Sequence, residues 1–589
     1  MNDIQTLVFP NLEFNATFDM YVRTSANGPR VSLQENIIHF QAGSIASFDT
    51  FFNGFTVHIW KNQCIVDDLY LKLDGDGQFI LRFGLHRIGH AHRWLQEDII
   101  DITADQPAVI LVKDWGKLDG GILYASVQAL TDGVITGGAF MTSTAPQHDV
   151  KLGIVITHFN RKSYVIPAIR RIRADLLETP QFKDKISLIV VDNSQNITPE
   201  ECQGATVIKN QNLGGSGGFM RGLLYLKDQR DYTHCLFMDD DASCEIESIR
   251  RSWALLSYAN DERSAIAGCL LREIEPFRLI EKGAKFDGLC RPLKSGLDIR
   301  HINDLLVAEA NTTTPDYGGW WFFCFPVKFA NELAFPFFVR GDDSRFSMGN
   351  NFRIITANGI CSWGDDFHFK NNSLTTYFDL RCHIVNSMQY PINFNAPRQL
   401  KIILRFFLRN LLSYNYASAS ACTIAIKHVT QGPSFFIDNM DTSAIRAEIS
   451  MLIPSDRLIP INRADFEPHY VMKEHESRLR RYFRWVTING FLLPDFALKN
   501  KFVFQHKGYH GTLRQIFLYK KILYEYEPLN LGYVAEYDRK RFFSELWSFS
   551  IEIALFIIKY KKIKKQFQKY LPHMTSEDFW RSIYHRYTK

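Results

Sequence analysis

The stretch HCLFMDDD (234–241) ends an apolar segment in three consecutive carboxylates, and two comparable segments precede it, KLGIVITHFNR (151–161) and ISLIVVDN (186–193). Each contains a short, continuous apolar run, which is typical of a strand buried on both faces. Stretches with helical spacing separate them. Buried strands that alternate with helices predict a parallel α/β sheet, whose ligands bind beyond the carboxyl ends of the strands. Thr157, Asp192 and Asp239 stand at those ends.

Two regions of different character flank this α/β segment. Residues 1–148 contain short alternating runs, separated by turn signals such as DGDG (74–77), and they predict an antiparallel β-sandwich. The clearest of these runs are FTVHIW (55–60), LYLKLDG (69–75) and QFILRFGLH (78–86). Beyond residue 395, apolar residues recur at helical spacing, as in PRQLKIILRFFLRNLLSYNY (397–416), and predict a mainly helical region.

Composition and charge restrict the class of protein. The chain has 589 residues, of which 46% are hydrophobic and 22% charged, so two to four folded domains are expected and long disordered segments are not. The net charge of +5 is small for this length, and no basic aromatic groove argues for nucleic acid as a partner. The N-terminal MNDIQTLVFPNLEF has no secretory pattern, so a cytoplasmic location is expected.

The C-terminal tail joins an apolar segment to a basic one. LWSFSIEIALFII (546–558) is too short to span a bilayer and is followed by KYKKIKKQFQKY (559–570). Two interpretations stay open. The tail could lie on an anionic membrane surface, which would place the protein peripherally at the inner face of the cell membrane. It could instead be an amphipathic helix that closes the C-terminal region with a solvated basic end.

The carboxylates Asp239, Asp240 and Asp241 suggest a cation site. Like charges this close repel each other, so a divalent ion such as Mg²⁺ or Mn²⁺, bound together with a diphosphate, is a natural explanation. Asp239 and Asp241 occupy alternate positions and could reach the same ion or its nucleotide. The alternative is an acidic turn that caps the helix predicted in ESIRRSWALL (247–256).

A glycine-rich loop, NLGGSGGF (212–219), lies between the second and third apolar strands and leads into a helical segment. Glycines let the backbone approach a ligand closely, and a helix N-terminus favours phosphate or sugar oxygens. The candidate nucleotide contacts are Asn212, Gly214, Gly215 and Gly218. The loop matches neither a P-loop nor a regular dinucleotide fingerprint.

Three later motifs carry further candidates. Trp320 and Trp321, in PDYGGWWFFCFP (315–326), could stack on a sugar or pack in a core. In PFFVRGDDSRF (336–346), Asp342 and Asp343 form either a surface turn or the site of a base that takes the proton of an acceptor hydroxyl. WGDDFHFK (363–370) collects possible metal ligands, including His368, although a lone histidine is more often structural.

In order along the chain, THFNR, VVDNS, NLGGSGGF, FMDDD, GWWFFCFP, RGDD and W-x-x-x-F-x-x-K resemble the family-2 glycosyltransferases that make galactofuranose polymers, such as the mycobacterial galactan-polymerising enzymes. FQAGSIASFDTFFNGFTVHIWK (40–61) looks like the β-sandwich that precedes the catalytic domain in that family. The resemblance covers nearly the whole chain. It implies a GT-A (Rossmann-like) α/β domain over 149–395, preceded by an all-β sandwich over 1–148 and followed by a mainly helical C-terminal domain over 396–589.

The resemblance also implies roles for the candidate residues. Arg161 and Asp192 would lie near the uridine diphosphate, with Thr157 and Asp240 close by, and Trp320 and Trp321 would form an aromatic wall around the acceptor. Asp239 and Asp241 would bind the metal and the donor. Asp343, with Asp342 beside it, would be the general base of an inverting displacement. The implied reaction moves galactofuranose from UDP-galactofuranose to a lipid-linked bacterial surface glycan of the O-antigen, capsule or galactan type; self-association into a homo-oligomer is left open.

Two positions depart from the family pattern. Arg345 replaces an acidic residue, which would alter acceptor contacts, and Gly364 replaces a metal-binding histidine, for which His368, Asp365 or Asp366 could substitute. Two alternatives therefore stay open: a GT-A transferase that uses another UDP-sugar, and a carbohydrate-binding protein with a degenerate GT-A domain.

Overall fold

The structure is a computed structural model that describes residues 1–12, 17–241, 243–310, 313–389, 395–452, 457–466, 476–508 and 510–587. All candidate site residues lie within these ranges. Among the described residues, no helix is long and apolar enough to cross a bilayer.

The N-terminal region is built from antiparallel strands joined in one 11-stranded sheet. In chain order its strands and one helix are β1 (Asn2–Thr6), β2 (Arg23–Thr24), β3 (Arg30–Ser32), β4 (Ile37–Phe40), β5 (Ile45–Ser47), β6 (Phe55–Thr56), α1 (Val57–Asn62), β7 (Tyr70–His86), β8 (Arg93–Ile102), β9 (Ala108–Leu111), β10 (Ile122–Ala129) and β11 (Gly133–Thr142). The main path runs β2-β5-β10-β7-β11-β4-β3.

Two local predictions for this region are wrong. FTVHIW is a strand only at its first two residues and then becomes α1. DGDG is not a turn, because β7 runs through it as one 17-residue strand that pairs with β11 up to Asp76 and with β10 from Phe79 onward. A Cβ on Gly75 would lie 2.1 Å from the carbonyl oxygen of Val134, so the glycine allows close contact between β7 and β11 and does not end the strand.

The central region is the predicted α/β unit. Its elements are β12 (Leu152–His158), α2 (Lys162–Ile172), β13 (Ile186–Asp192), β14 (Ala205–Lys209), α3 (Gly214–Gln229), β15 (His234–Asp239), α4 (Ile246–Tyr258), β16 (Ser264–Ala267), β17 (Cys269–Arg272), β18 (Leu279–Glu281), β19 (Ala284–Phe286), β20 (Cys290–Pro292), α5 (Ile302–Glu309), β21 (Phe323–Pro326), α6 (Asp342–Asn350), β22 (Arg353–Ile355), β23 (Cys361–Gly364), α7 (Phe367–Lys370) and α8 (Ser373–Gln389).

The order of the central sheet determines where a ligand can bind. Seven strands lie in the order β14-β13-β12-β15-β21-β16-β22, and β14, β13, β12 and β15 are parallel. The chain moves outward from β12 to β13 and β14, then returns to the other side of β12 as β15. This reversal is a topological switch point, which opens a crevice at the carboxyl ends of the strands.

A mainly helical region follows, together with a four-stranded sheet that the sequence analysis missed. The elements are α9 (Ala396–Leu412), α10 (Tyr416–Thr430), α11 (Pro433–Asp438), α12 (Ser443–Ser450), β24 (Ile459–Pro460), α13 (Arg478–Val486), β25 (Lys499–His506), α14 (Leu513–Ile516), β26 (Tyr519–Tyr526), β27 (Leu531–Glu536), α15 (Arg539–Met574) and α16 (Glu577–Tyr587). The sheet order is β24-β27-β26-β25.

The tail forms the 36-residue helix α15, and one face of it packs into the protein. Buried aromatic residues recur along that face, including Phe542, Phe549, Phe556 and Phe567. Phe549 stacks on Phe407 of α9 at 3.6 Å between ring centroids. The structure therefore shows the helix closing the C-terminal region, and its opposite face remains exposed.

A buried ion pair fixes the N-terminal region against the α/β unit. Arg251 on α4 donates to the carbonyl oxygen of Phe52 at 2.9 Å and pairs with Glu247 at 3.3 Å. Glu247 also accepts the backbone N–H of Thr6 at 2.8 Å. Because an isolated buried charge is costly, these bonds stabilise one arrangement of the two regions.

Candidate active site

The ends of three parallel strands bring the predicted residues together. The strand register pairs Thr157 with Asp239 and His158 with Asp192. Asp240 and Asp241 follow directly after β15 and lie beside Arg161, which follows β12. The predicted carboxylates therefore gather at the carboxyl ends of the parallel strands, where a ligand is expected to bind.

Cationic side chains neutralise the acidic cluster. Asp240 accepts the backbone N–H of Phe159 at 2.9 Å and lies 3.4 Å from the guanidinium of Arg161. Asp241 forms an ion pair with Arg161 and accepts a hydrogen bond from Lys370 at 3.0 Å. Lys370 comes from the last motif, 129 residues away, so sequence spacing gave no sign of this contact.

The pKa values of Asp239 and Asp241 shift in opposite directions. Burial, and then the neighbouring charges of Asp241 and Asp240, raise the pKa of Asp239 to about 8. Burial alone would raise the pKa of Asp241 too, but Lys370 and Arg161 outweigh it and hold that pKa below its ordinary value. Asp239 is thus the carboxyl group in the cluster that a further cation would stabilise most.

The predicted metal triad is not assembled. Within the described ranges, no group of three or more His, Cys, Asp or Glu side chains has the geometry to hold an ion. The imidazole of His368 faces Asp366, with 3.8 Å between Nδ1 and the carboxylate. Asp239 and Asp241 remain, and a Mg²⁺ or Mn²⁺ ion that also binds a diphosphate needs only one or two carboxylates from the protein.

The glycine loop packs mainly against β12 and the segment before α6. A Cβ on Gly218 would lie 2.2 Å from the side chain of Thr157, and one on Gly214 would lie 2.1 Å from the carbonyl oxygen of Phe338. Asn212 accepts the N–H of Gly214 at 3.1 Å. These glycines let α3 approach β12 and the loop before α6, whereas Gly215 remains partly exposed.

The predicted base lies at the start of α6, after a strained turn. Arg340 (φ 69°) and Gly341 (φ 78°) are left-handed, a conformation that costs energy for a non-glycine residue. Asp342 is buried and accepts a hydrogen bond from Ser216 of the glycine loop at 2.8 Å. Asp343 is only partly buried. The turn therefore places Asp343, whose carboxylate still reaches solvent, next to Asp342, which is bonded to the glycine loop.

The electrostatics of Asp343 suit proton transfer near neutral pH. Burial, followed by the neighbouring carboxylate of Asp342, raises the pKa of Asp343 to about 7. Its side chain accepts the backbone N–H of Ser344 at 2.6 Å, which stabilises the ionised form and opposes this rise. A carboxylate with a pKa close to the working pH is an efficient general base.

The two tryptophans have different environments. Trp320 is 5% exposed and packs edge-on against Phe219, Phe237 and Phe346, so it forms part of the core. Trp321 is partly exposed; its indole N–H donates to the carbonyl oxygen of Gly268 at 3.2 Å, and its ring lies 6.0 Å from that of Phe367. Only Trp321 is placed to offer a ring to a sugar.

Asp192 supports the loop that follows β13. It is fully buried and accepts the backbone N–H groups of Ser194 (3.0 Å) and Ile197 (2.9 Å), which fixes the loop after β13. The next residue, Asn193, donates to the carbonyl oxygen of Gly214 at 3.3 Å. The sequence analysis missed Asn193, although it sits in the VVDNS motif, because nothing in the pattern separates it from an ordinary turn residue.

The two departures from the family pattern also have structural explanations. Arg345 is buried and forms an ion pair with Glu332, so it has a packing role, and its effect on acceptor contacts stays a prediction. Gly364 ends β23, where a Cβ would lie 3.2 Å from Leu270. Asp366 caps α7 by accepting the N–H of His368 at 2.9 Å.

Comparison with known proteins shows what the chain is similar to. Residues 153–300 match the family model described as glycosyl transferase family 2. Galactofuranosyltransferase GlfT2 of Mycobacterium tuberculosis is 23% identical over 465 residues, which covers 72% of this chain and 71% of that protein. The protein of the same name from Mycolicibacterium smegmatis is 22% identical over 450 residues, covering 70% and 68%.

A crystal structure of GalNAc-T7 with UDP, GalNAc and Mn²⁺ aligns with 45% of this chain and 55% of its own at 10% identity, with a TM-score of 0.30. The expected GT-A fold with mixed sheets and a helical C-terminal region is confirmed. Residues 153–300 thus resemble glycosyl transferase family 2, and the chain resembles the mycobacterial galactofuranosyltransferases over about seven-tenths of its length.

Proposed function

We propose that this glycosyltransferase moves galactofuranose from UDP-galactofuranose to a growing bacterial cell-surface glycan, with inversion at the anomeric carbon. The observation that carries the proposal is the partly exposed carboxylate of Asp343, with its pKa raised to about 7, in a chain similar over most of its length to galactofuranosyltransferases. Inversion by direct displacement needs one base and a stabilised leaving group.

Each site residue has a separate role in the proposed transfer. Asp343 takes the proton of the acceptor hydroxyl as the oxygen bonds to the anomeric carbon and the bond to UDP breaks. Asp342, held by Ser216, positions the turn that presents Asp343. Arg161 and Lys370, which form ion pairs with Asp241, supply positive charge beside the departing diphosphate.

A divalent ion, Mn²⁺ or Mg²⁺, fits this site with Asp239 and Asp241 as its protein ligands. The fit rests on the chemistry of the two side chains, because carboxylate oxygens two residues apart at the end of β15 are the ligands that hard divalent ions bind. A bound ion would supply charge to stabilise the diphosphate as it leaves. His368 stays a weaker candidate because its imidazole faces Asp366.

The surroundings of the reaction belong to the same proposal. The acceptor would be lipid-linked and of the O-antigen, capsule or galactan type, with Trp321 against one of its sugars. The protein would act in the cytoplasm at the inner face of the membrane, held there by the basic end of α15. The division into a β-sandwich over 1–148, a GT-A domain over 149–395 and a helical domain over 396–589 stays a prediction, as does any homo-oligomer.

The test is UDP release from UDP-galactofuranose with short galactose-containing acceptors, in Mn²⁺, in Mg²⁺ and in chelator. Acceptor-dependent release that chelator abolishes is the expected result. Release that persists in chelator would contradict the metal requirement. Silence with every acceptor and ion would favour the carbohydrate-binding alternative.

A further inference from the structure

The segment that leads into α6 is strained at several positions. Phe338 (φ 74°), Arg340 (φ 69°) and Gly341 (φ 78°) are all left-handed. For the two non-glycine residues this conformation costs energy, and it persists only where the surrounding structure holds it. Asp343 follows two residues after Gly341, so the position of its carboxylate depends on whatever holds this segment.

Helix α8 packs directly against the strained segment. The guanidinium of Arg381 donates to the carbonyl oxygen of Phe337, at the start of the segment. A Cβ on Gly341 would lie 2.6 Å from the Cβ of Cys382, so the helix approaches the turn as closely as a glycine allows. The sequence analysis did not single out any residue of α8, because its motifs end at Lys370.

Asn386 of α8 bridges the two ends of the short stretch that contains the base. Its side chain is fully buried, and its amide nitrogen donates to the carbonyl oxygen of Gly341 at 3.0 Å and to the hydroxyl of Ser344 at 3.1 Å. A carbonyl oxygen can only accept, so the nitrogen of the amide must face Gly341. The two bonds lie on either side of Asp342 and Asp343 in the chain.

The bridge reaches the carboxylate through Ser344. The hydroxyl of Ser344 donates to the carbonyl oxygen of Gly341 at 3.1 Å, so this hydroxyl, that carbonyl and the amide of Asn386 form a closed set of hydrogen bonds. The backbone N–H of the same serine donates to the carboxylate of Asp343 at 2.6 Å. Asn386 thus fixes the serine that in turn orients the carboxylate.

Packing alone does not explain an asparagine at this position. Within the part of the chain that the structure describes, the buried side-chain oxygen of Asn386 has no hydrogen-bond partner. Leaving a buried acceptor unpaired is costly, and an apolar side chain of the same size would fill the space without that cost. The two bonds that Asn386 donates to the turn are therefore what distinguishes it from leucine here.

We propose that Asn386 is a positioning residue for the transfer. It holds the N-terminus of α6 so that the carboxylate of Asp343 meets the acceptor hydroxyl at the distance and angle that proton removal needs. The inference deepens the proposed function and rests on it, because it takes Asp343 as the base. It assigns part of the catalytic geometry to α8, outside the strand ends and loops that the motifs predicted.

The test is Asn386→Leu in the full-length protein, a change that keeps the size of the side chain but removes both donated bonds. The kcat of UDP release with a saturating acceptor should fall about 100-fold, the loss expected for a misplacement of about 1 Å. UDP affinity, measured by calorimetry, should stay as in wild type, because Arg161 and Asp241 pair with each other after β12 and β15.

The acid limb of kcat/KM is a second readout, which a merely structural role would not move. The bond from the N–H of Ser344 lowers the pKa of Asp343 in wild type. If Asn386→Leu loosens that bond, the limb should move to higher pH. The ionisable groups that interact with Asp343 are not replaced in this variant; they are Asp342, Arg340, Glu281, Cys290, Tyr317 and Cys382.

Asn410→Leu is the matched control. Asn410 is 5% exposed, and its amide donates to the carbonyl oxygen of Phe406 at 3.0 Å within its own helix, α9. Its loss should lower the melting temperature, as Asn386→Leu does, while kcat and the acid limb stay as in wild type.

Ser344→Ala tests the same link with a smaller change, and it serves if the leucine variant does not fold. Its kcat should fall about tenfold, and the double variant with Asn386→Leu should be no slower than Asn386→Leu alone, since contacts in one network are not additive. Multiplying losses would show that the two side chains act separately and would contradict the link.

A kcat and an acid limb like those of wild type in Asn386→Leu, or an equal loss of kcat in Asn410→Leu, would overturn the inference. An active Asn386→Leu beside an inactive Asp343→Asn would remove the positioning role and leave the base in place. An active Asp343→Asn would remove the base from the proposed function, and the inference with it. Each comparison uses whichever UDP-sugar the wild type turns over, so the identity of the donor does not affect it.

Discussion

Replacing Asp343 by Asn should nearly abolish sugar transfer while UDP affinity stays close to normal. The amide cannot take a proton from the acceptor hydroxyl, and positioned bases contribute about 100- to 10,000-fold to such steps. The amide oxygen can still accept the N–H of Ser344, which is 2.6 Å away in the wild type. The contact between Ser216 and Asp342 is untouched. The loss should therefore appear in kcat and leave donor binding almost unchanged.

The same base predicts a pH profile. Because burial raises the pKa of Asp343 to about 7, the protonated, inactive form dominates below that pH. In wild type, kcat/KM should rise about tenfold per pH unit up to pH ~7 and level off above it, so activity at pH 5 should be about 100-fold below the plateau. Asp343→Asn should show no such limb.

The assay is initial-rate UDP release with a saturating acceptor, together with UDP binding by calorimetry. Asp578→Asn is a suitable control, because Asp578 is an exposed carboxylate in the first turn of another helix, α16. It should behave like wild type. Turnover by Asp343→Asn within tenfold of wild type, or an unaltered pH limb in that variant, would refute the assignment of the base.

Three other changes test the surroundings of the site. Asp241→Ala should weaken both metal and donor binding, measured by calorimetry, and a donor affinity equal to that of wild type would contradict its role. Asp239→Asn should stabilise the metal-free protein by about a few kcal/mol at pH 8 and by less at pH 5. The pKa of Asp239 in the folded protein, about 8, lies above its value in the unfolded chain, so ionisation of this carboxyl group opposes folding as the pH rises. Thermal melting in chelator should show a larger difference between variant and wild type at pH 8 than at pH 5. Arg251→Met should destabilise the protein by about 3–5 kcal/mol in urea unfolding, since it leaves Glu247 buried without its partner, whereas the exposed Arg478→Met should be neutral.

The α/β core was predictable because burial on both faces leaves a clear pattern. β12, β13 and β15 are continuous apolar runs, and the carboxylates at their ends fall at one edge of the sheet for topological reasons. By contrast, β14 (ATVIK) is a partly exposed edge strand without such a run. The DGDG motif failed as a turn because glycine permits a bend within a strand as readily as a reversal.

Tertiary partners were beyond the sequence analysis. Nothing in the last motif indicates that Lys370 pairs with Asp241. This ion pair partly neutralises the acidic cluster, which the sequence analysis explained only by a bound cation or a helix cap. Trp320 and Trp321 are adjacent and identical, yet one lies in the core and the other is partly exposed, because successive residues point in different directions. The exposure of α13, where no residue is buried, was also hidden, since an amphipathic pattern predicts a packed face and does not say which face is covered.

The most direct measurement is a comparison of UDP-galactofuranose with UDP-galactopyranose as donors, at matched concentrations, with the same acceptor and ion. The account predicts turnover of the furanose donor, with the pyranose donor near background. Turnover of the pyranose alone would contradict the galactofuranose assignment while leaving the glycosyltransferase domain and its carboxylate base in place.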